Sequence, residues 1–259
     1  MNNFRIAGDI IHLIAVTALP IKIWASNNTA GVSGKTQILY ALVCTSRYLD
    51  LFLNYIFISP YHTILKMLFI SAAYLTVYLI YDKFKDTYSY NEDSFKIGYL
   101  LSAAAALAVT FNYGWSGGVI AYQEVLKRGF NFIEIAWAFS EYLEAVAILP
   151  QLLIIYRNKT SETKSHVFYY VYVMGLYRAL YVMNWIYMHH ICDCICLDVI
   201  SYSAGVVQLT IYVMFAFIYV TGQSLYSNII EPSMRESIKK DEVAGYLSTK
   251  LKLVSFFCK

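Results

Sequence analysis

Residues Leu149–Tyr156, LPQLLIIY, close an apolar run that begins near residue 131. Leu19–Trp24, LPIKIW, close the first apolar run of the chain in the same way. Pro20 and Pro150 stand 130 positions apart, and Arg47 and Arg178 stand 131 apart. Each Leu-Pro pair is followed by a loop and a further apolar run. The pattern is written twice, which predicts an internal repeat of membrane helices.

The rest of the chain fits that frame. It is 59% hydrophobic and 14% charged, with a mean hydropathy of +0.50, whereas soluble domains are roughly 25% charged. Apolar runs fall near 4–24, 36–55, 61–82, 97–114, 131–156, 166–188 and 195–221. Each is close to the roughly 20 residues that cross a bilayer as helix. The expected fold is an all-α membrane protein of seven transmembrane helices, built as two parallel three-helix repeats joined by a linker helix. Its boundaries are a seven-helix domain at 1–222 and a tail at 223–259. Within the domain, repeat one covers 1–82, the linker helix 97–114, an insertion 113–131 and repeat two 131–222. Asp9 and His12 interrupt the first run, so it reads as a retained span rather than a signal peptide.

Charge supplies orientation. Of 20 Lys and Arg residues, 14 fall in alternate loops and the tail, while the opposite loops hold Lys127 and Arg128. The positive-inside rule then predicts a luminal or extracellular N-terminus and a cytosolic C-terminus. A net charge of +3 with no basic block excludes nucleic acid as the expected partner. Membrane lipid is the expected surroundings. No nucleophile–base pair or phosphate loop is visible, so the chain does not read as an enzyme, and no cofactor is expected. The cluster MHHICDCIC (Met188–Cys196) has His and Cys enough for zinc. Its spacing matches no standard site, so it reads as cysteines at a helix end.

Ionisable residues lie inside the runs. Arg5, Asp9 and His12 share one face of the first helix, and Arg47 and Asp50 one face of the second. Glu134, Trp137, Glu141 and Glu144 share a face of the fifth. Tyr177, Tyr181 and Trp185 line the sixth beside Arg178, and Asp198 enters the seventh. An ion in the bilayer core costs about 2.5–3.5 kcal/mol, so such residues pair inside the bundle or line a wet cavity. Internal salt bridges fixing helix register would satisfy them. Three arginines in one cavity would instead repel one another unless an anion joins them, and the arginine fork suits a carboxylate. That second reading is a luminally open site for a small anionic ligand. His12 would make its affinity depend on pH.

Five stretches together resemble one family. FRIAGDIIHL (4–13), AGVSGKTQILYALVCTSRYLDLF (30–52), AWAFSEYLEAVAILPQL (136–152), YRALYVMNW (177–185) and AGVVQLTIY (204–212) resemble the KDEL receptors, the ER lumenal protein retention receptors. The resemblance implies a fold related to SWEET and PQ-loop transporters. It implies capture of C-terminal KDEL- or HDEL-like peptides of ER luminal proteins at acidic Golgi pH, return in COPI-coated vesicles and release at neutral pH. The implied location is the endoplasmic reticulum and Golgi membranes. By position, Arg47 and Tyr48 would clamp the ligand's carboxylate, Arg5 an acidic side chain of the signal and Asp50 its basic first residue. Glu134, Trp137, Tyr181 and Trp185 would complete the binding site. His12 with Tyr177 would sense protons, and Asp9, Glu144, Arg178 and Asp198 would form the internal polar network. Lys239 and Lys240 would be the coat signal.

Three departures stand out. Met188 takes the place of an expected Arg, Glu141 is an additional acid on the ligand-facing helix, and 113–131 is longer than the family's loop. The competing class is a SWEET- or PQ-loop-like small-solute transporter, but a sugar site calls for amides and aromatics rather than several cations.

Overall fold

The computed structural model describes residues 3–52, 60–112, 132–157, 161–191 and 198–225, and all regular structure among them is helical. In chain order the α-helices are α1 (Asn3–Ser26), α2 (Gly34–Arg47), α3 (Pro60–Tyr78), α4 (Gly98–Thr110), α5 (Phe132–Val146), α6 (Leu149–Arg157), α7 (Ser161–Ile191) and α8 (Val199–Leu225). They fall on the seven apolar runs, with α5 and α6 sharing the fifth. Among the described residues, Asn3–Ser26, Thr63–Lys83, Phe132–Arg157 and Val199–Val220 are long and apolar enough to cross a membrane. α4 is a shorter apolar helix of 13 residues. A bilayer leaves no water for backbone groups, so a run of this composition must satisfy them as helix.

The two Leu-Pro pairs behave differently. α1 runs unbroken through Pro20, which is buried. The fifth run instead breaks at Ala147 and Ile148, and Pro150 falls in the first turn of α6. There its missing N–H costs nothing, since first-turn donors have no intrahelical partner.

The second run also departs from expectation. α2 stops at Arg47, where the Tyr48 N–H donates to the Cys44 carbonyl at 3.1 Å. Leu49–Phe52 then make a 3₁₀ turn. Arg47 and Asp50 therefore do not share one continuous α-helical face, because the helix tightens at its end to satisfy its last carbonyls. The third run ends as one π-turn, Leu79–Lys83, closed by the Phe84 N–H on the Leu79 carbonyl at 2.9 Å.

Residues Met1–Val213 form one compact unit. Within it α1 packs on α7 and α3, α2 on α5 and α3, and α4 on α5. The α2–α4–α5 core is built on Leu39, Val43, Ala104, Leu143 and Ala147. At the other end of α2, Ser33 caps the helix by accepting from the Thr36 N–H at 3.1 Å and donates to Asp93 Oδ2 at 2.9 Å. The same Asp93 oxygen accepts from the Lys35 N–H at 3.0 Å and from Tyr88 Oη at 2.6 Å. Burial, with that bond to Asp93, pushes the Tyr88 hydroxyl above its ordinary range, which keeps it a donor. Buried Gln151 ties α6 to the same loop, accepting from the Ser33 N–H and donating to the Gly31 carbonyl, both at 2.8 Å. The last turns of α8, from Met214 to Leu225, belong to a second unit. In it the Phe215 and Tyr219 rings lie 6.0 Å apart.

Candidate functional site

Helix packing brings four chain segments to one point. Arg47 is the last residue of α2, and Ser140, Glu141 and Glu144 share a face of α5. α7 adds Tyr177 and Arg178, and α1 adds His12. Each nitrogen of the Arg47 guanidinium has a polar neighbour on α5. Its Nε donates to Ser140 Oγ at 3.1 Å, Nη1 lies 2.5 Å from Glu144 Oε2, and Nη2 lies 3.0 Å from Glu141 Oε1. The last pair is close but not aligned as a hydrogen bond, and Nη2 has no other acceptor. Glu144 is the hinge of the cluster. Its Oε1 lies 2.5 Å from Arg178 Nη2 and accepts from Tyr177 Oη at 2.8 Å, and Gln208 Nε2 donates to that same Tyr177 oxygen at 3.4 Å.

These ions are deep: Glu144 is 3% exposed, Arg178 4% and Glu141 6%. Each unpaired would cost several kcal/mol, roughly, so the pairing is what permits the burial. It also corrects an expectation. Arg47 and Arg178 do not wait for an outside anion, because Glu141 and Glu144 balance them, and the four charges sum to zero. The salt-bridge reading describes these four residues.

His12 lies between two rings, Phe69 at 4.6 Å and Tyr177 at 4.0 Å, nearly parallel to the latter at 13°. The expected His12–Tyr177 pairing is therefore a face-to-face stack; the Tyr177 hydroxyl is turned to Glu144. A cavity of about 30 Å³ opens here, lined by His12, Gln37, Arg47, Tyr48, Glu144 and Tyr170 among others. It has room for water.

The aromatic wall runs along α7. Tyr177 stands edge-on to Tyr181 at 5.7 Å, Tyr181 is 6.5 Å from Trp185, and Trp185 is 6.2 Å from Tyr202. Tyr181 Oη donates to Asp9 Oδ1 at 2.5 Å, which ties α7 to α1. Two glycines make room for the wall. A Cβ on Gly8 would lie 3.0 Å from Tyr181 Cε1, and one on Gly205 would lie 2.5 Å from Trp185 Cζ3. Gly205→Ala is accordingly expected to lower stability by about 1–3 kcal/mol through overpacking. Thermal unfolding in detergent checks this; an unchanged midpoint would mean that Trp185 moves aside freely.

The other expected residues fall as follows. Arg5 is exposed near the start of α1. Tyr48 caps α2 and lines the cavity, with Lys66 Nζ 5.7 Å above its ring. Glu134 and Trp137 are partly buried on α5. Asp198 is the N-cap of α8: Oδ1 accepts from the Ile200 and Ser201 N–H groups at 3.1 and 3.2 Å, and Oδ2 accepts from Ser201 Oγ at 2.8 Å. Asp50 lies in the 3₁₀ turn after α2. Met188 is near the end of α7. The insertion 113–131, Cys192, Cys194, Cys196, Lys239 and Lys240 lie outside the described residues. Sequence reasoning missed Ser140, Gln208, Phe69 and both glycines. Gln208 could have been found by the rule that flagged the others, as a polar side chain inside an apolar run; it is fully buried.

Comparison with known proteins gives consistent results. A family model described as ER lumen protein retaining receptor matches residues 28–188. The chain is 45% identical over 221 residues to ER lumen protein-retaining receptor 2 of Gallus gallus, covering 85% of this chain and 94% of that protein. It is 45% identical over the same shares to receptor 3 of Xenopus laevis and 43% identical to the ER lumen protein-retaining receptor of Drosophila melanogaster.

Proposed function

The chain belongs to the ER lumen protein-retaining receptor family, and from that premise we propose that it binds C-terminal KDEL- or HDEL-like signals in an acidic Golgi compartment and releases them at the neutral pH of the endoplasmic reticulum. Family membership makes it a receptor rather than an enzyme, and it sets aside the transporter alternative. The observation that carries the site assignment is the Arg47 guanidinium, which sits where α2 meets α5 beside the cavity and presents a fork suited to a carboxylate. In this reading Arg47 and Tyr48 hold the signal's terminal carboxylate, Asp50 its basic residue and Arg5 an acidic side chain. Glu134, Trp137, Tyr181 and Trp185 form the groove. Asp9, Glu144, Arg178 and Asp198 support it from behind.

The charge count gives the pH dependence its sign. A carboxylate entering a neutral cluster adds one negative charge. A proton on His12 restores balance, so binding strengthens as pH falls. Membranes containing the chain are expected to bind a KDEL-ending peptide more tightly at about pH 5.5 than at about pH 7.4. Equal affinity at the two values would remove His12 from the mechanism.

Two further parts of the reading concern architecture and traffic. Spans one to three and five to seven form parallel repeats, with the fourth span as linker. Reciprocal packing supports this: the first span packs on the sixth and the second on the fifth, the exchange that a two-fold relation between repeats requires. Exposed apolar residues such as Ile10, Ile14, Tyr172 and Val207 face lipid. The N-terminus is luminal and the tail cytosolic, where Lys239 and Lys240 meet the COPI coat. Lys239→Ser with Lys240→Ser is expected to leave peptide binding intact and strand the receptor in the Golgi. Normal cycling in cell imaging would place the coat signal elsewhere.

A further inference from the structure

We propose that Glu141 is an internal stand-in for the signal's terminal carboxylate: it holds the Nη2 edge of Arg47 until a bound carboxylate displaces it, and so sets the affinity of the site. The inference rests on the receptor reading above. Three observations carry it. First, Glu141 is an acid 6% exposed that pairs with Arg47 at 3.0 Å, whereas Glu144 is shared between Arg47 and Arg178. Glu144 and Arg178 balance each other, which leaves Arg47 and Glu141 as the remaining pair of charges. Second, the contact is poorly made. Arg47 Nη2 is buried without an aligned acceptor, so a carboxylate arriving in fork geometry gains a hydrogen bond that Glu141 does not supply. Third, the space beside Arg47 is only about 30 Å³. Of the two acids on Arg47, Glu141 is the one held by a single ion pair, whereas Glu144 has two and accepts from the Tyr177 hydroxyl as well.

The direction of the effect follows. In the present chain a ligand must break the Arg47–Glu141 pair and leave a carboxylate without its cation in a largely dry place. The fraction of molecules with Arg47 open is thereby reduced, and apparent affinity falls by that fraction. With glutamine at the position the cluster carries one net positive charge, and the ligand's carboxylate restores neutrality by itself.

The test is peptide binding to the full-length chain in detergent at about pH 5.5, comparing wild type with Glu141→Gln and Glu141→Asp. Glu141→Gln is expected to bind a KDEL-ending peptide about tenfold more tightly than wild type. Glu141→Asp keeps the charge on a shorter arm, holds Arg47 less well and is expected to fall between them. Affinity in Glu141→Gln equal to or below that of a peptide-binding wild type would overturn the inference and leave the receptor reading standing. Should Glu141→Gln not fold, Glu141→Asp decides alone, and an affinity no higher than wild type overturns the inference. If the wild type does not bind the peptide, the receptor reading fails and the inference falls with it.

Discussion

Arg47→Ala is expected to abolish peptide binding, a loss of about 2–5 kcal/mol, because on the proposed reading the ligand's carboxylate loses its forked partner. The change also strands Glu141, which is 6% exposed and would face Glu144 without an intervening cation. Stability therefore falls together with affinity. Arg47→Lys separates the two effects. It keeps the positive charge that holds Glu141 and Glu144, so the fold should survive. It replaces the planar fork by a point charge, so affinity should still fall by about tenfold. Normal binding by a folded Arg47→Ala chain would move the carboxylate site away from the end of α2.

The second large effect is on stability. Glu144 contacts Arg47, Arg178 and Tyr177 while only 3% exposed. Glu144→Leu leaves Arg178 buried without its partner and is expected to cost about 3–5 kcal/mol. Adding Arg178→Leu removes the stranded charge and should recover much of that loss, since an apolar pair replaces an ionic one at little net cost. Unfolding midpoints of the two single variants and the double variant in detergent measure the coupling. A Glu144→Leu chain as stable as wild type would mean that the cluster does not hold the bundle together.

Much of this molecule was legible in its sequence because the bilayer restricts the choices. A run such as 4–24 has one stable form in hydrocarbon, and α1 takes it; an arginine such as Arg47 is too costly there to be idle. The five quoted stretches were specific enough to indicate the family that the comparisons then gave. What was not legible depends on packing between helices. Spacing put Glu141 and Glu144 on one face of α5, but only the approach of α2 and α7 decides that Glu144 serves two arginines and Glu141 one. The break at Ala147 and Ile148 and the end of α2 at Arg47 were hidden for a related reason. Apolar periodicity continues across both, while the backbone does not. Gly8 and Gly205 became meaningful only once Tyr181 and Trp185 were seen against them.

The central claim is that Arg47 receives the terminal carboxylate of a retrieval signal. Binding of one KDEL-ending peptide in two forms, free acid and C-terminal amide, tests it most directly, at about pH 5.5 with the full-length chain. The free acid should bind and the amide should not, because the amide brings no charge to the guanidinium fork. Equal binding of the two forms would contradict the claim.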